Sequence, residues 1–332
     1  MNRKHLVDQL GRIARPRMLV VGDVILDKYI FGNVDRLSPE APVPVLDVAS
    51  EKYILGGSAN VANNLHALNA EVMLCGLSGE DSERERLLAL LAERGLDPAG
   101  ILPDSSRPTT VKTRVIGHRQ QIVRLDYEKR HEAPPALLGR IIDHVEGLAD
   151  RLDGIIVSDY GKGTITPALL DYLRGLRARR ALPVVVDPKD IHFQHYRQFS
   201  LITPNTAEAS LGAGFKIKDE RTLLEAGHKL RSELDLEAIL ITRGAQGMSL
   251  FLRDGEVLHI PTMARDVFDV TGAGDTVSSV MGLALASRLP IEEAAYLANF
   301  AASVVVGVFG TATVSRDEIR RAIEEHDGAA LP

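Results

Sequence analysis

Short apolar runs that stop at a small or charged residue recur along this chain. Met18-Leu19-Val20-Val21, Val72-Met73-Leu74-Cys75, Ile155-Ile156-Val157, Val184-Val185-Val186 and Ala238-Ile239-Leu240-Ile241 are the clearest. Apolar runs without alternation suit strands covered on both faces, as in a parallel sheet. Between them lie segments such as 82–94, 277–287 and 291–306, whose apolar positions fall three and four apart, the spacing of a helix face. Strands joined through helices imply right-handed crossovers in one parallel sheet. The pattern therefore predicts an α/β fold, whose first strand is expected to start at Arg17 and run on to Tyr29.

Two stretches have a different texture. Residues 31–48 carry Pro39, Pro42 and Pro44 and alternate like an exposed strand; proline cannot donate to a ladder, which places this stretch at an edge or on a projection. Residues 107–116 and 119–126 alternate basic and apolar positions around a Gly117-His118 turn, a hairpin pattern. Period two puts Lys112 and Arg114 on one face. That face reads either as solvated or as a seat for a substrate phosphate.

The candidate chemistry centres on Phe268-Asp269-Val270-Thr271-Gly272-Ala273-Gly274-Asp275-Thr276, which runs straight into an apolar helix. A helix start leaves backbone N–H groups unpaired and carries partial positive charge. Glycine lets that backbone approach an anion closely, so phosphate is the expected guest. Asp275 beside a phosphate reads either as a helix N-cap or as a base that takes a proton from an attacking hydroxyl. Elsewhere, strand-end residues of an open α/β sheet tend to gather at the ligand site, which draws attention to Asp23 and Asp27.

Asp269-Val270-Thr271-Gly272-Ala273-Gly274-Asp275 resembles the second signature of the ribokinase-like (PfkB) carbohydrate kinases, and Gly56-Gly57-Ser58-Ala59-Asn60 resembles the first. The resemblance covers roughly residues 10 to 320. It implies a three-layer α/β/α core with a mostly parallel sheet, and a small β lid inserted at about 31–49 and 108–126 of a single kinase domain spanning 1–332. It also implies that the Gly272, Ala273 and Gly274 amides hold the transferred phosphate and that Asp275 is the base. Asp27, Gly56, Gly57 and Asn60 would contact the sugar. In Thr203-Pro204-Asn205-Thr206-Ala207-Glu208, Asn205 and Glu208 would hold Mg²⁺ largely through water, which suits an ion slow to dehydrate. Thr242, Gly244 and Asn299 would face ATP together with Thr271, and some relatives hold a monovalent cation near Asp269 and Thr271. The lid of such kinases often pairs with that of a second subunit, and a bare apolar strand would be an aggregation hazard, so a homodimer through the lid is expected.

Arg36-Leu37-Ser38-Pro39-Glu40-Ala41-Pro42-Val43-Pro44-Val45, Ser158-Asp159-Tyr160-Gly161-Lys162-Gly163 and Asp187-Pro188-Lys189 narrow the resemblance to the kinase half of bacterial ADP-heptose synthesis proteins. That implies phosphorylation of D-glycero-β-D-manno-heptose 7-phosphate at O1, for lipopolysaccharide core assembly, with Lys112, Arg114, Asp159, Lys162 and Lys189 on the substrate side. Some relatives carry a fused nucleotidyltransferase domain after the kinase; this chain stops where that domain would start, so a kinase-only form is expected. Two other readings stay open: a kinase of the same family for another sugar or sugar phosphate, and a nucleotide-binding regulator without turnover.

Composition adds limits. Among 332 residues, 45% are hydrophobic and 25% charged, and the net charge is −6, which is ordinary for a globular protein. Scattered Lys and Arg residues give no basic tract for nucleic acid. The single cysteine, Cys75, lies in an apolar run, so it reads as a buried hydrophobe, and no internal disulfide can form. No apolar run approaches the ~18 residues of a membrane span and Met1–Asp8 lacks a leader's apolar core, so a cytoplasmic location is expected. Walker and Gly-x-Gly-x-x-Gly phosphate loops are absent from the sequence.

Overall fold

The structure, a computed structural model, describes residues 2–118, 120–264, 267–308 and 310–326. Arg119, in the hairpin expected above, lies outside the described residues.

Helix α1 (Arg3–Arg12) is capped by Asn2, whose Oδ1 accepts the His5 N–H at 2.8 Å. Strand β1 (Arg17–Gly22) follows and is buried almost throughout. It does not continue to Tyr29. A Cβ at Gly22 would stand 2.0 Å from the Ser158 carbonyl oxygen, and the Asp23 N–H bonds that same oxygen. This close approach turns the chain out of the main sheet, and β2 (Val24–Leu37) pairs antiparallel with β3 (Pro44–Gly57) in a second sheet. The lid thus begins seven residues before position 31, because an unbroken apolar run hides a change of sheet. Helix α2 (Ser58–Ala67), β4 (Glu71–Ser78), α3 (Ser82–Glu93) and β5 (Ile101–Pro103) come next. The expected hairpin is β6 (Val111–Gly117) and β7 (Gln120–Tyr127), with β6 parallel to β2.

Then the chain settles into alternation: α4 (Pro135–Leu148), β8 (Gly154–Ser158), α5 (Pro167–Arg180), β9 (Val184–Asp187), β10 (Leu201–Ile202), α6 (Thr206–Ala213), α7 (Glu220–Glu233) and β11 (Ala238–Thr242). A hairpin, β12 (Met248–Leu252) and β13 (Val257–Ile260), precedes α8 (Ala273–Ala286), α9 (Ile291–Val305) and α10 (Arg316–Glu324).

Among the described residues, nine strands make the main sheet in the order β13-β12-β11-β10-β9-β8-β1-β4-β5, and four make the lid in the order β3-β2-β6-β7. From β5 to β11 every pairing is parallel, whereas β12 and β13 are antiparallel. Period two splits the core between layers: Met18 and Val20 pack with α1, α2, α8, α9 and α10, while Leu19 and Val21 pack with α4, α5, α6 and α7. Helix α8 is buried from Asp275 to Ala284, as a helix apolar nearly all round must be. Its N-terminus is therefore pinned at the carboxyl-end edge of the parallel strands, where such folds bind ligands.

Candidate active site

Gly272 is the N-cap of α8, with φ of 81°, and no side chain caps the helix. That left-handed backbone favours glycine, and an added Cβ would also meet Asn60 Nδ2 at 3.1 Å. Gly272 and Gly274 line a cavity of about 170 Å³ together with Asp275, Asp187, Glu208 and Asn205. A Cβ at Gly274 would touch nothing within 4 Å, so the chain borders open space there. Ala273 is different: its N–H turns back to the Val270 carbonyl at 3.2 Å. Of the three expected anion-binding amides, those of Gly272 and Gly274 border the cavity.

Asp275 is not a helix cap. It is 3% exposed, and its two oxygens are held separately: Oδ2 accepts from Asn60 Nδ2 at 2.6 Å and Oδ1 from the Tyr160 hydroxyl at 2.7 Å. Behind it, Asn64 Nδ2 donates to the Asn60 carbonyl at 2.9 Å and the Thr276 hydroxyl donates to Asn64 Oδ1 at 3.1 Å. Burial pushes the Asp275 carboxyl up to about 6, against the Asn60 and Tyr160 hydrogen bonds that favour its anion. A carboxyl poised there is ionised at neutral pH and still a competent proton acceptor. Asn60, expected at the sugar, is a hydrogen-bond partner of Asp275 in this structure.

Tyr160 belongs to the loop after β8, and buried Asp23 builds that loop by accepting N–H bonds from Tyr160 (2.9 Å), Lys162 (2.9 Å) and Thr164 (3.0 Å). Asp159 lines the same cavity. Its Oδ2 accepts from the His192 ring and the Tyr196 hydroxyl at 2.6 and 2.7 Å, and its Oδ1 accepts the Gly161 N–H at 2.8 Å. Both oxygens are thus engaged in shaping the loop. Lys162 likewise forms a 2.6 Å ion pair with Glu128, each side chain 9% exposed; it ties the loop to the residue just past β7. Sequence reasoning passed over Tyr160 and Asp187 and left Asn64 open. The position of Tyr160 and Asp187 at the ends of β8 and β9 was the available signal.

On the other side of Asp187 stands α6. Asn205 Oδ1 accepts the Ala207 and Glu208 amides at 2.9 and 3.0 Å, and Glu208 Oε2 accepts the Asn205 N–H at 3.0 Å, a reciprocal capping box. Lys189 Nζ lies 3.5 Å from the other Glu208 oxygen. Burial, with Asp275 and Glu208 next in effect, drives the Asp187 carboxyl well above its ordinary value. Such a crowd of oxygen donors suits a hard divalent cation. Among the described residues no three acidic, His or Cys side chains converge tightly enough to hold an ion alone. Thr242 lines the same cavity and pairs by a parallel bridge with Asn205, and Gly244 has a positive φ of 56° just beyond it. Asp269 Oδ1 accepts the Thr271 N–H and hydroxyl at 2.9 and 2.7 Å while Oδ2 accepts the Gly310 N–H at 2.9 Å. Asn299 is buried, with its amide donated to the Pro261 carbonyl at 2.6 Å.

The lid supplies the remaining candidates. Asp27 pairs with Arg114 Nη1 at 2.5 Å, and a Cβ at Gly56 would lie 2.4 Å from Asp27 Oδ2, so glycine there leaves room for the carboxylate. Gly57 has a positive φ of 55° and leads into α2. Lys112, on the same face of β6 as Arg114, sits 5.5 Å from the centre of the Tyr160 ring. Burial lowers its pKa from the ordinary lysine value. Arg114 is thus neutralised by Asp27, whereas Lys112 rests on the aromatic ring whose hydroxyl bonds Asp275.

A doubly covered parallel sheet, a β lid and a glycine-started helix carrying a buried carboxylate define a ribokinase-like sugar kinase. Solved structures share the fold: Arabidopsis thaliana ribokinase complexed with ribose and ATP aligns over 94% of this chain and 99% of its own, at TM-score 0.74 and 18% identity. Escherichia coli phosphofructokinase-2 in complex with substrates and products aligns over 95% and 100%, at TM-score 0.77 and 16% identity. Residues 15–318 match the family model described as pfkB family carbohydrate kinase, and the chain belongs to that family. The proteins called bifunctional protein HldE from Geobacter sulfurreducens and Geobacter metallireducens are 47% and 46% identical to it over 319 residues. In both cases the match takes in 96% of this chain but only 65% of the relative's length.

Proposed function

We propose that this chain forms one kinase domain that transfers the γ-phosphoryl group of ATP to O1 of D-glycero-β-D-manno-heptose 7-phosphate, giving the 1,7-bisphosphate used for ADP-heptose and the lipopolysaccharide core. The observation that carries the reading is the buried Asp275 carboxylate, held by two donors beside the Gly272–Gly274 helix start. Its likeness to the HldE proteins supports the choice of sugar.

Asp275 takes the proton of the sugar's O1 hydroxyl as that oxygen bonds the γ-phosphorus, and the bond from phosphorus to the β,γ-bridging oxygen breaks to release ADP. The Gly272 and Gly274 amides, at the positive end of α8, hold the negative charge on the group in flight. Asn205 and Glu208 would hold Mg²⁺, largely through water, with half-buried Asp187 lining the same cavity. When bound, that ion supplies charge neutralisation for the polyphosphate. Thr242, Gly244, Thr271 and Asn299 would border the nucleotide, and the Asp269–Thr271 turn is where we place a monovalent cation. Asp27, Gly56 and Gly57 would meet the sugar, while Lys112 would take its distal phosphate and Lys189 the phosphates near Glu208. The dimer is placed at the lid, where Val48, Ile122, Val123, Leu125 and Tyr127 leave apolar surface exposed. A cytoplasmic location agrees with a pathway fed by ATP; among the described residues no helix is long and apolar enough to cross a membrane.

The test is a coupled ADP assay comparing the heptose 7-phosphate, the unphosphorylated heptose, fructose 6-phosphate and ribose. ADP formation strongest with the 7-phosphate supports the reading. Equal or better rates with another acceptor assign the kinase to that acceptor instead.

A further inference from the structure

Tyr160 is held from three directions. Its backbone N–H is fixed on buried Asp23 at 2.9 Å, its ring lies under Lys112 of the lid at 5.5 Å, and its hydroxyl donates to Asp275 Oδ1 at 2.7 Å. On the opposite oxygen, Asn60 Nδ2 donates at 2.6 Å. Each carboxylate oxygen can accept two hydrogen bonds. With one donor on each oxygen and the carboxylate plane immobilised, the remaining acceptor directions are few and fixed.

We propose that Tyr160 is a positioning residue for phosphoryl transfer: together with Asn60 it clamps the Asp275 carboxylate so that a free lone pair is aimed at the acceptor hydroxyl. This rests on the assignment of Asp275 as the base. Placement of a reacting group to within fractions of an ångström is where rate is gained or lost. The phenol stays a donor throughout the working range. Burial, then the negative charge of Asp275 and Asp187, pushes its pKa far above the ordinary tyrosine value. The same hydrogen bond also favours the ionised form of Asp275 over the protonated one. The other charged groups facing that carboxyl are Asp27 on β2, Lys112 on β6 and Asp187 on β9; none of them touches it through a hydrogen bond among the described residues. Tyr160 also connects lid to base, since the ring that carries the hydroxyl is the surface on which Lys112 rests.

The experiment uses the full chain, ATP and the best sugar phosphate of the coupled assay. Tyr160→Phe keeps the ring under Lys112 and removes one oxygen. Loss of one hydrogen bond to a charged group should lower kcat by about ten- to a hundredfold, leaving KM for ATP within about twofold. The acidic limb of the kcat/KM profile should move to higher pH, so the deficit is larger at pH 6 than at pH 8. A cooperative melt close to the wild type shows that the fold is intact. Should the phenylalanine variant not melt cooperatively, Asn60→Ser, which shortens the other donor, carries the same test on the pH limb. An acidic limb that coincides with the wild type, or kcat within twofold of it, overturns the clamp. Absence of ADP formation by the wild type with every sugar phosphate would instead overturn the function proposed above, so the two failures are distinguishable.

Discussion

Asn60 Nδ2 lies 2.6 Å from Asp275 Oδ2, although the two residues stand 215 positions apart. The contact joins the first turn of α2, entered through Gly56-Gly57, to the first turn of α8, entered through Gly272. Two glycine-led helix starts are thereby locked face to face, one carrying the amide and the other the carboxylate. Each glycine motif depends on the other for its geometry.

The raised pKa of Asp275 sets a pH dependence. As the proposed base it must be ionised, so activity should be absent well below the folded pKa and should appear as pH rises through it. With that carboxyl pushed up to about 6 by burial, kcat/KM should climb with an acidic midpoint near 6, not near the ordinary aspartate value of about 4. A pH profile at subsaturating sugar phosphate checks this.

Gly272 and Gly274 should respond differently to alanine. Gly272→Ala forces a side chain into a left-handed backbone and against Asn60 Nδ2 at 3.1 Å, which should cost about 1–2 kcal/mol of stability and also disturb the base. Gly274→Ala meets no protein atom and should melt like the wild type. Its methyl enters the cavity, so its effect should be a higher KM for ATP. Thermal melts alongside steady-state kinetics separate the two.

Asp23 should be a residue on which the fold depends. It is 1% exposed and accepts three backbone N–H groups; Asp23→Ala leaves those donors unpaired, at about 1–3 kcal/mol for each one that water does not reach. Urea unfolding should show a loss of about 3 kcal/mol or more, with the 159–164 loop and hence Tyr160 released from place.

Much of this was legible in the sequence, for physical reasons that differ between elements. The parallel strands announce themselves because burial on both faces demands continuous apolar runs, as in β1, β8, β9 and β11. Gly272 and Asp275 are legible because a helix start is a local object, written in adjacent residues. The boundary between β1 and β2 was not legible. Val24-Ile25-Leu26 is as apolar as Met18-Leu19-Val20, and only the approach of Gly22 to Ser158 in three dimensions separates the two sheets. The resemblance set Asp159 and Lys162 on the substrate side, but their contacts with His192, Tyr196 and Glu128 were not legible, because those partners come from distant segments. Tyr160 was passed over for the same reason, since its importance lies in a contact with residue 275.

The lid dimer makes a separate prediction. Leu125 and Val123 each remain 43% exposed on β7, an edge strand; a charge there should prevent pairing of two copies. Sedimentation should give a dimer for the wild type and a monomer for Val123→Glu, with melting temperature little changed. A monomeric wild type at micromolar concentration would remove the dimer from the account.

The central claim is that the Asp275 carboxylate accepts the proton during transfer. Its most direct measurement is single-turnover phosphoryl transfer by Asp275→Asn, with ATP and sugar-phosphate affinities measured on the same protein by calorimetry. The expected result is a transfer rate lower by roughly 10²–10⁴-fold, with both affinities within a few fold of the wild type. Transfer at a near-normal rate by a folded Asp275→Asn protein would contradict it.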